Sequence, residues 1–228
     1  MRPAPDYRYS ETYDETYYTR SLQGFVFARG HAALERRHGP SETFARVVEV
    51  GAGTGQHIRH VRHQFDEYVV TDNNPAVLEV AKRNAPAGVA DRLRYETQEA
   101  GRLTYPDASF DRLIACHVLE HMHEPLDALR EWSRVVRPGG LLSFVLPCDP
   151  GLAWRLGRML GPRRAWKARG MPYDYVLATE HVNSIFNLRQ YLRYHFKVED
   201  ELWFPLRVPL PDLNLLYVCE VRNTPPEG

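Results

Sequence analysis

The chain is short of the features that staple, anchor or polarise a protein. It holds three cysteines, Cys116, Cys148 and Cys219, odd in number and far apart, which excludes a disulfide framework and fits reduced thiols in a core or beside a site. Net charge is missing too: 29 Lys and Arg balance 29 Asp and Glu, so no global field draws the protein onto nucleic acid, although a local basic patch stays open. No apolar run approaches the ~20 residues that span a bilayer. The segment Met1–Tyr7 has no apolar signal region, and the expectation is a cytoplasmic protein in a reducing compartment. Internal repeats and low-complexity tracts are absent; only Thr224–Gly228 reads as a frayed tail. What remains is ordinary for one domain with a sizeable core: 228 residues, 43% hydrophobic and 25% charged, with room for a small cap.

The organising stretch is Val47–His57, VVEVGAGTGQH, where an apolar run breaks into three glycines alternating with small residues. It reads as strand, glycine loop and helix, with the helix spanning 55–64. Glycine lets a ligand approach the backbone closely, and a helix start adds unpaired N–H groups. A dinucleotide fingerprint wants its third glycine three residues after the second; that position is Gln56, and the third glycine is Gly55. The spacing therefore argues against NAD.

From residue 46 apolar runs alternate with amphipathic segments, the rhythm of βαβ units around a parallel sheet. Strands are expected near 46–50, 67–72, 92–97, 110–116 and 140–147, helices near 75–85 and 125–137. In the last helix Leu126, Leu129, Trp132, Val135 and Val136 form one face, Pro125 suits the first turn and Gly139 the stop. Ahead of the sheet, residues 1–20 are tyrosine-rich, and 21–38 place Leu22, Phe25, Val26, Arg29, Ala33 and Leu34 at helical spacing before Gly39-Pro40. Residues 1–45 read as an N-terminal helical lid, or in part as a loosely packed surface segment, and 46–228 as the main domain. Within it, 149–183 is a Pro/Gly-punctuated cap insertion too long for an ordinary connection. Between Gly151 and Pro172 it carries Arg155, Arg158, Arg163, Arg164, Lys167 and Arg169 and no acid, interleaved with Trp154, Leu156, Met159, Leu160 and Trp166. Three readings stand for it: a solvated helical face, an anion-reading cap over a substrate pocket, or an interfacial helix resting on an anionic membrane through residues 151–170. A helix then resumes over 187–195, with strands at 196–204 and 213–221.

The glycines at 51, 53 and 55, with Glu49 two residues before them and Asp72 closing the next strand, resemble the first motifs of class I S-adenosylmethionine-dependent methyltransferases. Downstream, Tyr105–Asp111 (YPDASFD), His117–His121 (HVLEH) and Arg137–Gly140 (RPGG) resemble, in the same order, the landmarks of that superfamily's small-molecule, type 11-like branch. The resemblance covers residues 45–147. It implies a Rossmann-like α/β fold: a mostly parallel seven-stranded sheet with an antiparallel C-terminal hairpin and helices on both faces. It also implies S-adenosyl-L-methionine as cofactor. Gly51, Ala52, Gly53 and Gly55 would meet its methionine part and Glu49 its ammonium group. Asp72 would accept the ribose hydroxyls, with capping of the helix at Pro75 as the competing role. Asn73 would flank the adenine, Glu99 would take its amino group where relatives carry Asp, and Ala100 would offer a backbone N–H.

Ligands of open α/β sheets bind beyond the carboxyl ends of the strands, which points to His117 after the fourth strand. No Asn/Asp-Pro-Pro-aromatic signature stands there, which counts against DNA bases and protein amides as acceptors. His117 can lie beside the cofactor and take a proton from a hydroxyl, or only shape the pocket. Glu180 and His181, within Thr179–Asn183, can orient substrate or supply a base, or anchor the insertion. Glu120 and His121 suit a positioning role. A metal site from Cys116, His117, His121 and Cys148 lacks standard ligand spacing, and no metal is expected. The resulting expectation is methyl transfer to a small-molecule acceptor, most simply a hydroxyl of a sugar or natural-product intermediate, with an anionic group read by the insertion. The competing readings are an RNA or protein methyltransferase and a catalytically silent cofactor-binding scaffold. The sequence is silent on oligomeric state.

Overall fold

The computed structural model describes residues 22–168 and 170–224; the tyrosine-rich segment 1–20, Arg169 and most of the expected tail lie outside the described residues. Seven strands form one sheet in the order β3-β2-β1-β4-β5-β7-β6. They are β1 (Thr43–Val50), β2 (Gln64–Asp72), β3 (Leu93–Thr97), β4 (Phe110–Cys116), β5 (Val136–Pro147), β6 (Lys197–Phe204) and β7 (Leu216–Arg222). The first five are parallel neighbours, and β7 enters antiparallel between β5 and β6. The strand order reverses beside β1, so β1 and β4 diverge from a shared crevice at their carboxyl ends.

The core strands are β-branched and leucine-rich because both faces are covered. On one face, α3 (Pro125–Val135) and α7 (Ile185–His195) bury Leu129, Trp132, Leu188 and Leu192 against Leu113, Leu142 and Tyr217. On the other, α1 (Leu22–Leu34) and α2 (Pro75–Arg83) bury Phe27, Leu34, Leu78 and Ala81 against Val47, Val70 and Val145. Gly30 lets α1 lie close to the sheet, since a Cβ there would stand 2.7 Å from Leu216 and 3.0 Å from Val145.

Some sequence expectations are corrected. The helix expected over 55–64 is only a 3-10 turn, His57–His60, because β2 starts at Gln64 and the thirteen-residue connection must also hold the glycine loop. The helix expected to 137 ends at Val135, and β5 begins at once, Val136 giving its side chain to the sheet core. Gly139 is therefore no helix stop; it sits within β5 with φ 76°. On α1 the buried stripe is Val26, Phe27, Gly30, His31 and Leu34, whereas Phe25 is exposed. The last strand starts at Leu216, because Pro211–Leu213 form a 3-10 turn. The 149–183 stretch holds three short helices, α4 (Leu152–Leu160), α5 (Pro162–Ala168) and α6 (Tyr173–Glu180), with a small core of Trp166, Tyr173 and Val176.

Candidate active site

The glycine loop closes β1 and is tied to β2 by a bond from Ala52 N–H to the Thr71 carbonyl, 2.8 Å. Gly51 and Gly53 have φ of 64° and 55°, a region that suits glycine. A Cβ on Gly51 would meet Val118 at 2.6 Å, while one on Gly53 would find open space. The loop therefore packs at one glycine and leaves the other bare beside the cleft.

That cleft, about 550 Å³, lies at the carboxyl ends of β1, β2 and β4 and is lined by Glu49, the glycine loop, Asp72, Asn73, Glu99, Ala100 and His117. Every residue singled out in sequence for the cofactor thus faces one cavity, except Gly55, which turns toward Ala81 of α2. Glu49 is buried and accepts a hydrogen bond from Tyr68 Oη at 2.7 Å; burial pushes its carboxyl above the usual range. Asp72 Oδ2 accepts from Gly53 N–H and its Oδ1 from Asn74 N–H, each at 3.0 Å. The cap of α2 is instead Asn74, whose side chain accepts from Ala76 N–H. Asp72 is thus held by the loop, and each of its oxygens keeps a lone pair. Ala100 is fixed through its carbonyl, which accepts from Trp132 Nε1 at 2.7 Å.

His117 follows β4 at φ 59°, strained for a non-glycine residue and held by its N–H to the Val145 carbonyl, 2.9 Å. Its ring packs on Phe27, with centroids 4.3 Å apart. Nδ1 stands 3.6 Å from Glu120 Oε1, and the buried Nε2 has no hydrogen-bond partner among the described residues. Burial pushes the Glu120 carboxyl up, but its contact with the His117 ring and the His121 charge outweigh it and hold the group below its usual range. A second, smaller cavity of about 40 Å³ is lined by His117 with Phe27, Trp154, Arg158, Tyr173, Leu177 and His181. His117 and His121 line both cavities. His117 therefore stands at the junction.

Glu180 and His181 are brought to the same place by α6. Glu180 lines the larger cavity and its carbonyl accepts from His121 Nδ1. His181 lines the smaller one, its Nδ1 in charge contact with Asp149 Oδ2 at 3.0 Å but without hydrogen-bond alignment; Arg158 donates to the same oxygen. Asn183 anchors the stretch by donating to the carbonyls of Leu119 and Met122. Of the two roles considered for Thr179–Asn183, Asn183 thus takes the anchoring one.

Sequence reasoning missed the layer beneath. His31 Nδ1 lies 3.0 Å from His57 Nδ1, and His57 Nε2 lies 3.0 Å from Glu35 Oε1, all buried. Glu35 pairs with Arg112, itself paired to Glu220. Burial pushes the Glu35 carboxyl up, yet Arg112 and His57 hold it well below the usual range. The set considered for a metal does not converge; among the described residues the ligand atoms that lie within 4.8 Å of one another are those of His31, His57 and Cys116. The only signal for this layer was histidine density, because contacts between α1 and a turn 26 residues on follow no period. A groove of about 500 Å³ near Leu126, Arg130 and Phe196 lies at the amino ends of β4 and β5, away from this chemistry.

The sequence profile described as a methyltransferase domain matches residues 48–144, the span holding the loop, Asp72 and His117. Over that span the chain is similar to the class I S-adenosylmethionine-dependent methyltransferases. Among its relatives, the 27-O-demethylrifamycin SV methyltransferase of Amycolatopsis mediterranei is 33% identical over 113 residues, covering 47% of this chain and 42% of that protein. The ubiquinone/menaquinone biosynthesis C-methyltransferase UbiE of Azotobacter vinelandii is 29% identical over 154 residues, 66% of this chain and 59% of its own length. The chain thus spans about half the length of these relatives. In fold it is similar to the crystal structure of the [4+2]-cyclase SpnF, with TM-score 0.63, 19% identity and coverage of 90% of this chain and 83% of that one.

Proposed function

We propose that this methyltransferase moves the methyl group of S-adenosylmethionine to a hydroxyl of a small molecule, a sugar or natural-product intermediate that carries an anionic group. The observation that carries the reading is His117, which lines both a cofactor-sized cleft of about 550 Å³ and a side cavity of about 40 Å³, room for little more than the acceptor's hydroxyl. The residues fit the cofactor chemically. A buried Glu49 with a raised pKa gains most from a cationic partner, and the ammonium group of the methionine part is one. Asp72 would accept the two ribose hydroxyls with its free lone pairs, Asn73, Glu99 and Ala100 would hold the adenine, and Gly51, Ala52 and Gly53 would let the methionine part lie on the backbone, with Gly55 closing the turn.

The cofactor supplies an activated methyl on a cationic sulfur. His117 Nε2 takes the acceptor's hydroxyl proton, while Glu120, held anionic, supports the imidazolium that results. Glu180 and His181 position the acceptor from the rim, and Arg158, already aligned by Asp149, reads its anionic group. Positioning contributes most of the rate. Balanced charge supports a small molecule over RNA.

Calorimetric titration with S-adenosylhomocysteine tests the reading. The expected result is saturable binding that weakens at least about tenfold in Asp72→Ala, the worth of one or two lost hydrogen bonds. Absence of binding to the unaltered protein would overturn it, and unchanged affinity in the variant would remove the ribose role. Release of S-adenosylhomocysteine on a panel of hydroxylated sugars and polyketides, with and without phosphate or carboxylate, then tests the acceptor class.

A further inference from the structure

Helix α4 is built inside out. Its Trp154 is buried toward the acceptor pocket, but Leu152, Leu156, Met159 and Leu160 are 53%, 49%, 51% and 67% exposed. The spacing of these four, at i, i+4, i+7 and i+8, sets them in one stripe on the side opposite Trp154. The loop after β6 extends the apolar surface. It meets α4 where Leu152 N–H donates to Asp212 at 3.0 Å, and it leaves Leu206 and Leu210 56% and 53% exposed. Scattered exposed leucines need no explanation, whereas a contiguous apolar patch marks a contact surface.

Charge says what the contact is. Arg155, Arg164 and Arg207 are exposed and, among the described residues, have no ion-pair partner. Arg163 and Lys167 are instead paired to Asp174. Unpaired guanidinium groups on and around an exposed leucine stripe match a surface that offers anionic headgroups above apolar chains. A protein partner would need a matching apolar face and acids set opposite the arginines; a bilayer needs only a plane.

We propose that α4 and the loop 205–213 dock the protein on an anionic lipid surface, the stripe entering the headgroup–acyl boundary and the three arginines meeting the headgroups. Because the inner face of α4 lines the acceptor pocket, docking would set that pocket at the membrane edge and favour an acceptor carried on a lipid anchor. The docking itself stands on surface geometry alone, so it can fail or hold independently of the methyl-transfer reading.

Co-sedimentation with vesicles of phosphatidylglycerol and phosphatidylcholine, against phosphatidylcholine alone, tests it. The expected result is binding to the anionic vesicles, with weaker binding to the neutral ones. In Leu156→Asp/Leu160→Asp the partition coefficient should fall at least about tenfold, with circular dichroism and S-adenosylhomocysteine affinity unchanged. Arg155→Glu/Arg164→Glu should lose the preference for the anionic lipid. Failure to sediment with either vesicle, or equal binding by the double aspartate variant, would overturn the proposal. So would light scattering that shows a dimer dissolved by the same substitutions, since the stripe would then be the seat of a second copy.

Discussion

At the scale of single residues, the proposed chemistry turns on His117, whose place beside two cavities is set by its backbone as much as by its ring. An L residue at positive φ is costly, and Asn tolerates that conformation better than most, so His117→Asn removes the proposed base while sparing the turn. Turnover of a hydroxyl acceptor should fall by about 10²–10⁴, with S-adenosylhomocysteine affinity kept within a few-fold. Near-normal turnover would limit His117 to shaping the pocket. Asp72 illustrates a choice the sequence left open. As the residue before Asn73-Asn74-Pro75 it could have capped the helix; in the fold Asn74 does that, and Asp72 is turned to the glycine loop.

At the scale of elements, α3 does more than cover the sheet. Its fully buried Trp132 reaches across to the Ala100 carbonyl and so fixes the loop after β3 that lines the cleft. Trp132→Phe keeps most of the buried surface but leaves that carbonyl unpaired. It should destabilise the protein by about 1–3 kcal/mol in urea unfolding and weaken cofactor binding several-fold. A stability loss with unchanged affinity would show that the loop holds its shape without the bond. The helix was legible from its apolar period and Pro125; its reach to Ala100 was not, because periodicity gives a buried face without saying which backbone carbonyl lies beneath it. The expected helix after the glycine loop fails for a related reason. Gln56–His63 contains good helix formers, but β2 must pair with β1 from Thr43 opposite Gln64 onward, and that tertiary requirement ends the segment after one turn.

At the scale of the molecule, a layer of neutral histidines makes stability depend on pH. Burial, and after it the Arg112 charge, pushes His63 down to about 4. Burial and His57 hold His31 well below its usual range, and burial lowers His60 and His121. A base whose folded pKa is depressed contributes stability that is present above its unfolded pKa, ~6.5, and is lost as pH falls. For His63 that window runs from the unfolded value down to about 4, a loss on the order of 3 kcal/mol. Glu35, Glu120 and Glu220, also depressed, extend the loss to lower pH. His38, raised because its bonds to Glu220 and Glu42 outweigh its burial, opposes the trend with one group. The urea midpoint should therefore fall steadily as pH drops below neutrality. A flat midpoint between about pH 7 and 5 would mean that these histidines are protonated in the folded state.

The sequence by itself determined the sheet, its parallel rhythm and most of the residues that gather at the cleft, because those depend on local patterns: apolar runs of strand length, glycines at fixed spacing and acids at strand ends. Tertiary structure decided the rest. It paired β7 between β5 and β6, stacked His31, His57, Glu35 and Arg112 beneath the cleft, and brought His181 and Arg158 across some sixty and forty residues to face His117. It also turned the leucines of α4 outward. An alternating charge and apolar pattern is the same whether a helix hides its leucines or shows them, and only the neighbour that claims Trp154 fixes which face is left to the outside.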